Sequence, residues 1–167
     1  MPYLGIVLCG GPGKRLRPIT DTMPKPLLEL KDGYTILDKQ LLDLKYAGVK
    51  RVILLTGHLH ERIEERYGRG WNGVDIAYSV EDKPLGTWGA VANALKDHEI
   101  RSPLVIMNGD IVTDVNLRKM VAYATSPVTM FLTPMRSPYG IVELSGRVIT
   151  QFREKPILPY YINAGVY

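Results

Sequence analysis

Apolar residues up to about residue 125 fall alternately into short continuous runs and into sets with helical spacing. The runs are typical of buried parallel strands and cover 3–9, 51–56, 74–80 and 103–107. The spaced sets predict helices over 36–47, 58–67, 87–97 and 115–124. Strands that alternate with helices indicate an α/β fold, with a Rossmann-like, mostly parallel sheet that is covered by helices on both faces.

The pattern changes in the last part of the chain. Strands are predicted there over 128–133, 141–144, 147–152 and 161–167, with Ser145-Gly146 as a tight turn. We therefore expect one core domain over 1–167, which consists of an α/β part over 1–125 and a strand-rich portion over 126–167.

Composition limits the class of protein. Apolar types make up 46% of the residues and charged types 23%, which excludes a disordered chain. No apolar run approaches the roughly 18 residues of a membrane span, and the N-terminus lacks the features of a secretory signal. The single cysteine, Cys9, excludes an intrachain disulfide. These features predict a cytoplasmic protein without a membrane partner.

Positive charge is concentrated in a glycine loop after the first strand. The net charge is +4, and the segment 10–26 holds four cations (Lys14, Arg15, Arg17, Lys25) against one anion, Asp21. Glycines let backbone N–H groups approach a phosphate, and the cations would neutralise it. The Walker and dinucleotide-binding patterns both fail here, because Arg15 and Leu16 stand where a hydroxyl residue and a glycine are needed. By itself the loop fits a phosphate site and a solvated surface turn equally well.

A second polar strand end is Asn108-Gly109-Asp110. Ligands of open α/β sheets bind beyond the carboxyl ends of the strands, so a carboxylate at this place suits Mg²⁺. The alternative is an ordinary turn aspartate, which is common after Asn-Gly. Asp114 is expected to cap the helix that follows.

Six motifs in order carry a family resemblance. GGPGKRLRPIT followed by MPKPLLEL resembles the signature G-G-x-G-(T/S)-R-L-x-P-x-T, then P-K-P, of the nucleotidylyltransferases that join a nucleoside triphosphate (NTP) to a sugar 1-phosphate. Further segments are similar to family motifs: EDKPLGT at 81–87, NGD at 108–110, YGIV at 139–142, EKP at 154–156 and NAGVY at 163–167. Lys14 departs from the pattern, which usually has Thr or Ser there.

The resemblance implies a set of site residues. It implies catalytic roles for Arg15 and Lys25 and a Mg²⁺ ligand at Asp110. It implies nucleotide binding by 1–125, through Gly10, Gly11, Gly13, Lys14, Glu81, Gly86 and Thr87. It implies that 126–167 begin the sugar-phosphate-binding part, with Gly140, Glu154, Lys155, Asn163 and Gly165.

The function implied by the resemblance is transfer of a nucleoside monophosphate from an NTP to a sugar 1-phosphate, which gives an NDP-sugar and pyrophosphate. GTP with mannose 1-phosphate is the favoured pair, and glucose 1-phosphate with dTTP or UTP is the alternative. A non-catalytic, nucleotide-sugar-binding regulatory module is a second class. A nucleic-acid partner is disfavoured because the basic loop lacks interleaved aromatic residues, and a homo-oligomer is left open.

The family pattern also implies a second metal-binding aspartate downstream of the N-A-G-I-Y motif. The 167 residues supply only Asp110 of this pair. We therefore expect the chain to bind nucleotide, because one carboxylate can hold Mg²⁺ mainly through substrate phosphates and water. We expect it to turn over slowly or not at all, because in-line transfer needs the metal fixed between both substrates.

Overall fold

The computed structural model describes residues 3–167 and contains an α/β unit followed by two β-ribbons. The first unit comprises, in chain order, β1 (Leu4–Leu8), β2 (Glu29–Lys31), β3 (Tyr34–Thr35), α1 (Ile36–Tyr46), β4 (Arg51–Thr56), α2 (His60–Tyr67), β5 (Gly70–Trp71), β6 (Val74–Val80), α3 (Gly86–Asp97), β7 (Leu104–Asn108) and α4 (Leu117–Tyr123). Three short 3₁₀ turns, Lys14–Leu16, Ile19–Asp21 and Lys25–Leu27, lie between β1 and β2.

The central sheet has five strands in the order β5-β6-β4-β1-β7. Strands β6, β4, β1 and β7 are parallel, and the short β5 pairs antiparallel with β6. Beyond β7, Val166 forms an antiparallel bridge with Met107. Strands β1, β4 and β7 are buried and apolar along most of their length, as is typical of a parallel sheet that is covered on both faces, whereas β6 alternates between buried and exposed residues.

Helices cover both faces of this sheet. On one face, Ala90 and Ala94 of α3 pack against Ile6, Ile53 and Ile106 in a single buried cluster. On the other face α1 approaches so closely that a Cβ added at Gly5 would lie 3.3 Å from Leu44 Cδ1. The α/β class, the mainly parallel sheet and the extra strands near the C-terminus are confirmed.

The second unit, Met130–Ala164, contains the four remaining strands. They are β8 (Leu132–Arg136), β9 (Ile141–Ser145), β10 (Val148–Arg153) and β11 (Ile157–Asn163). Strand β9 pairs antiparallel with β10, and β8 with β11.

Two strand predictions in this part are wrong. Residues 128–131 precede the strand that begins at Leu132, and the last strand ends at Asn163 rather than continuing to 167. Both real strands contain a proline, Pro134 and Pro159. Proline is tolerated in a two-stranded ribbon, where each strand has a free edge, so neither strand ends at its proline.

Helix α4 also begins later than expected. Its N-cap is Asn116, whose side chain accepts a hydrogen bond from Lys119 N at 2.9 Å. Asp114 is therefore not the cap. The preceding turn is instead closed by Thr113, whose hydroxyl accepts from Val115 N at 3.1 Å. Asn and Asp are about equally good N-caps, so the sequence did not separate the two positions.

The start of α1 is fixed by a buried hydrogen-bond network around Asp38. Thr35 and Asp38 form a reciprocal capping box, and the Asp38 carboxylate also accepts from Tyr67 and from Arg66 at 3.0 Å. Burial alone would raise the pKa of Asp38, but the hydrogen bonds from Thr35, Tyr67 and Arg66 outweigh it and lower the pKa.

We expect Asp38→Asn to lower the free energy of unfolding by about 1.5–3 kcal/mol at pH 7, because charge-assisted hydrogen bonds are lost. Because the pKa of Asp38 is lower in the folded state than in the unfolded state, the ionised carboxylate stabilises the fold above about pH 4. This stabilisation is lost as the pH falls further. In urea unfolding, the difference in free energy of unfolding between the unsubstituted chain and Asp38→Asn should therefore be smaller at pH 3 than at pH 7. Asp32→Asn removes an exposed carboxylate and should change stability by less than about 0.5 kcal/mol. An equal Asp38→Asn effect at both pH values would contradict this account.

Within residues 3–167, none of the helices combines the length and the apolar character that crossing a bilayer requires.

Candidate active site

A cleft of about 300 Å³ lies at the carboxyl ends of β1 and β7 in the first unit. Neighbouring parallel strands end at the same edge of the sheet, which brings distant parts of the chain together. Eight of the predicted site residues line this cleft: Gly10, Gly11, Gly13, Lys25, Glu81, Gly86, Thr87 and Asp110.

The glycine loop is braced from beneath. Gly13 has a φ of 63°, and a Cβ on it would lie 2.8 Å from Thr20 Cγ2 and 3.1 Å from Lys25 Cγ. Thr20 is buried and donates its hydroxyl to Gly13 O at 3.0 Å. Only glycine fits both this backbone conformation and this space.

Lys25 and Asp110 form an ion pair across the cleft. Lys25 Nζ lies 2.9 Å from Asp110 Oδ2, and the side chains are 17% and 45% exposed. Pro24 and Pro26 flank the lysine and restrict its backbone. The chain thus places a cation and a hard-oxygen anion, 85 residues apart in sequence, at one point.

The turn that carries Asp110 is packed tightly against β1. Gly109 N donates to Leu8 O at 2.9 Å. A Cβ at Gly109 would overlap the Leu8 carbonyl oxygen and lie 3.2 Å from Cys9 Sγ. The main chain at this turn therefore has no room for a side chain at position 109.

We expect Gly109→Ala to lower the free energy of unfolding by about 1–3 kcal/mol, because the added methyl group must displace backbone. Gly11→Ala is the matched control in the same cleft, since no atom lies within 4 Å of its added Cβ. The control should stay within about 0.5 kcal/mol of the unsubstituted chain in urea unfolding. Equal losses for the two variants would contradict the packing described here.

The Glu81 side chain forms one wall of the cleft. Its Oε2 accepts from Leu85 N at 3.1 Å, which closes the loop before α3. A Cβ at Gly10 would lie 2.5 Å from Glu81 Oε1, and one at Gly57 would lie 3.1 Å from its Cγ. One carboxylate oxygen of Glu81 thus holds the loop before α3, while the other lies against Gly10 of the glycine loop.

Cys9 lines the cleft but is buried under the loop. Burial, with a smaller contribution from the negative charge of Asp110, raises the pKa of its thiol far above the ordinary value. The thiol therefore stays protonated and does not act as a nucleophile here.

Two predicted site cations follow Gly13, which lines the cleft, directly in the chain. Lys14 and Arg15 are exposed on the 3₁₀ turn Lys14–Leu16 and are not among the residues that line the cleft. Arg17, two residues on, is paired with Asp21 at 3.0 Å. The structure thus brings Lys25, and not Lys14 or Arg15, to Asp110.

Most of the predicted sugar-phosphate residues lie in the second unit. Gly140 packs on the ring of Phe152, and a Cβ on it would lie 3.3 Å from Glu154 Oε2. Lys155 has a φ of 42°, and its carbonyl oxygen accepts from Arg136. Asn163 is the last residue of β11. Gly140 and Glu154 therefore come close together within this unit, and Lys155 follows Glu154 in the chain.

Gly165 belongs to the first unit. It has a φ of 74°, and a Cβ on it would lie 2.8 Å from Asn108 Nδ2. Asn108 N donates to Gly165 O at 2.9 Å. Gly165 thus packs beside the turn that carries Asp110.

Sequence reasoning missed residues that support the site. Thr20 braces the glycine loop, and its position within the R-L-x-P-x-T motif was the available signal. Gln40 contacts the Asp110 turn, and the signal was a polar residue within the apolar set of α1.

Comparison with known proteins agrees with the motifs in the cleft. The family model described as "Nucleotidyl transferase" matches residues 4–167. The chain belongs to the nucleotidyl transferase family. This confirms the family that the motifs indicated and the expectation of a nucleotidyltransferase.

Named relatives of this nucleotidyltransferase include two guanylyltransferases. One, a D-glycero-alpha-D-manno-heptose 1-phosphate guanylyltransferase from Aneurinibacillus thermoaerophilus, is 38% identical over 97% of this chain and 72% of its own length. Another, a mannose-1-phosphate guanyltransferase from Schizosaccharomyces pombe, is 35% identical over 97% of this chain and 48% of its own length. A solved structure of a putative glucose-1-phosphate thymidylyltransferase from Bacillus anthracis has a TM-score of 0.76 and is 26% identical over 98% of this chain and 70% of that one.

Proposed function

We propose that the chain transfers a nucleoside monophosphate from an NTP to a sugar 1-phosphate, releasing pyrophosphate and forming an NDP-sugar. The observation that carries this proposal is the convergence of the glycine loop, Lys25 and Asp110 on one cleft. Family membership supports the reaction class, and the names of the relatives support a sugar 1-phosphate as acceptor.

GTP is the nucleotide in this proposal, and a manno-configured sugar 1-phosphate is the acceptor. Mannose 1-phosphate is the first candidate, as the motifs indicated. A heptose 1-phosphate of the manno series is the second, because the relative that is 38% identical is named for it. Glucose 1-phosphate with dTTP or UTP is the third, on the likeness to the Bacillus anthracis structure.

The residues of the cleft suit a transfer without a protein nucleophile. An oxygen of the sugar 1-phosphate attacks the α-phosphorus of the NTP, and pyrophosphate leaves. Glycine backbone N–H groups at 10–13 would hold phosphate oxygens, and Lys25 would neutralise charge that grows during transfer. Glu81 would contact the base. Positioning two polyanions and offsetting their repulsion is the main catalytic task.

Asp110 fits a magnesium ion. Mg²⁺ prefers oxygen ligands and is usually held by one or two carboxylates together with substrate phosphates and water. Asp110 supplies one exposed carboxylate in the cleft, and no group of three His, Cys, Asp or Glu within residues 3–167 could hold an ion without substrate. The ion would neutralise phosphate charge when it is bound.

The proposal is tested with a matrix of GTP, dTTP, UTP and ATP against mannose, heptose and glucose 1-phosphates, with products identified by mass. GDP-mannose or the GDP-heptose should exceed all other products. A dTDP- or UDP-sugar as the main product would replace the proposed substrates but keep the reaction class. Nucleotide binding without any product would favour the regulatory module instead.

A further inference from the structure

Gln40 is a polar side chain on the buried face of an amphipathic helix. It lies in the middle of α1 and is 1% exposed, while Leu37, Leu41 and Leu44 of the same helix are fully buried. Its Nε2 donates to Asn108 O at 2.8 Å and to Ile111 O at 2.9 Å. Its Oε1 is buried and has no hydrogen-bond partner among the described residues.

The unpaired oxygen makes glutamine a costly residue for packing alone. Leucine or methionine would fill a similar volume without removing an acceptor from water. What glutamine supplies instead is a pair of donors, and both are used on the main chain of a single turn. The two bonds therefore need an explanation in terms of that turn.

The two carbonyl groups flank Asp110. On one side of the turn, Gly109 N donates to Leu8 O of β1 at 2.9 Å. On the other side α1 holds the main chain through Gln40, and Lys39 Nζ donates further along to Thr113 O at 3.2 Å. The backbone around Asp110 is thus fixed between β1 and α1, while its carboxylate reaches the cleft.

We propose that Gln40 is a positioning residue for Asp110. By holding the carbonyl groups of Asn108 and Ile111, it sets where the carboxylate lies in the cleft and so how strongly Mg²⁺ adds to nucleotide binding. The inference rests on the proposed function, in which Asp110 takes Mg²⁺. Position matters because a misplacement of about 1 Å can cost on the order of a hundredfold.

The test measures the contribution of the metal and needs no turnover. The dissociation constant of GTP is determined by calorimetry in EDTA and in excess Mg²⁺. The value in EDTA divided by the value in Mg²⁺ measures how much the metal strengthens binding. Gln40→Leu should reduce this ratio about tenfold, which corresponds to about 1.4 kcal/mol. If Gln40→Leu does not fold, Gln40→Met replaces it, because it removes the same donors and should reduce the ratio by a similar factor.

The matched control is at the neighbouring buried position. Leu41→Val and Leu41→Ala are both made, and the one whose thermal midpoint is nearer to that of Gln40→Leu serves as the control. Its ratio of dissociation constants should equal that of the unsubstituted chain. A reduced ratio in the Gln40 variant alone supports the proposal. Unchanged ratios in both, or equal reductions in both, overturn it, because Gln40 would then serve only the stability of the fold.

Asp110→Asn separates this inference from the function on which it rests. If Asp110→Asn leaves the ratio unchanged, the proposed metal role of Asp110 fails and the inference fails with it. If Asp110→Asn reduces the ratio and Gln40→Leu does not, only the positioning role of Gln40 is wrong.

Discussion

Lys25→Ala should lower kcat about 100- to 1000-fold relative to the unsubstituted chain, with a smaller change in KM for GTP. The Lys25 side chain is 17% exposed, and its ammonium group lies 2.9 Å from Asp110 Oδ2. The two flanking prolines restrict the lysine backbone, so little reorganisation is needed as charge grows on the transferring phosphate. An interaction that strengthens in the transition state appears mainly in kcat.

Steady-state transfer rates measure this effect. Lys31→Ala is the control, because Lys31 is an exposed lysine of β2 that does not line the cleft. Lys25→Arg keeps the charge and should retain more activity than Lys25→Ala. A change in KM alone would show that Lys25 only holds the substrate.

Asp110→Asn should weaken GTP binding in excess Mg²⁺ at least tenfold, or about 1.4 kcal/mol. The carboxylate provides an oxygen ligand in the cleft, and asparagine binds Mg²⁺ less well because it carries no charge. In EDTA the affinity for GTP should not fall, because the substitution releases the Lys25 ammonium from its ion pair.

The control for Asp110→Asn is Asp114→Asn. It removes the same charge four residues further on, at a position that does not line the cleft. Calorimetry should show an unchanged effect of Mg²⁺ in this variant. An equal loss in both variants, or an unchanged Mg²⁺ dependence in Asp110→Asn, would remove Asp110 from the proposed metal site.

The convergence of the site was predictable because topology determines it. Continuous apolar runs indicated parallel strands, and parallel strands that are neighbours end at the same edge of a sheet. The glycine loop after β1 and Asp110 after β7 therefore had to lie close together once β1 and β7 paired. What the pattern did not contain is the direct bond between Lys25 and Asp110, which depends on side-chain placement across 85 residues.

The sequence did not predict the N-cap of α4 or the partners of Gln40, because local sequence leaves the alternatives nearly equal in energy. Asn116 rather than Asp114 caps α4, although both residue types cap helices well. Gln40 fell within the helical apolar set of α1, but its spacing says nothing about the two carbonyl groups it contacts beyond position 100. Residue spacing predicts which face of an element is buried, and tertiary packing decides which polar atoms meet there.

The most direct test of the proposed reaction is to quantify pyrophosphate and NDP-sugar in the same mixture of chain, Mg²⁺, GTP and a manno-configured sugar 1-phosphate. We expect the two products to form in equal amounts, to require both the sugar phosphate and Mg²⁺, and to fall sharply in Asp110→Asn and in Lys25→Ala. Pyrophosphate without NDP-sugar would indicate hydrolysis of the nucleotide, and bound GTP with neither product would contradict transfer by this cleft.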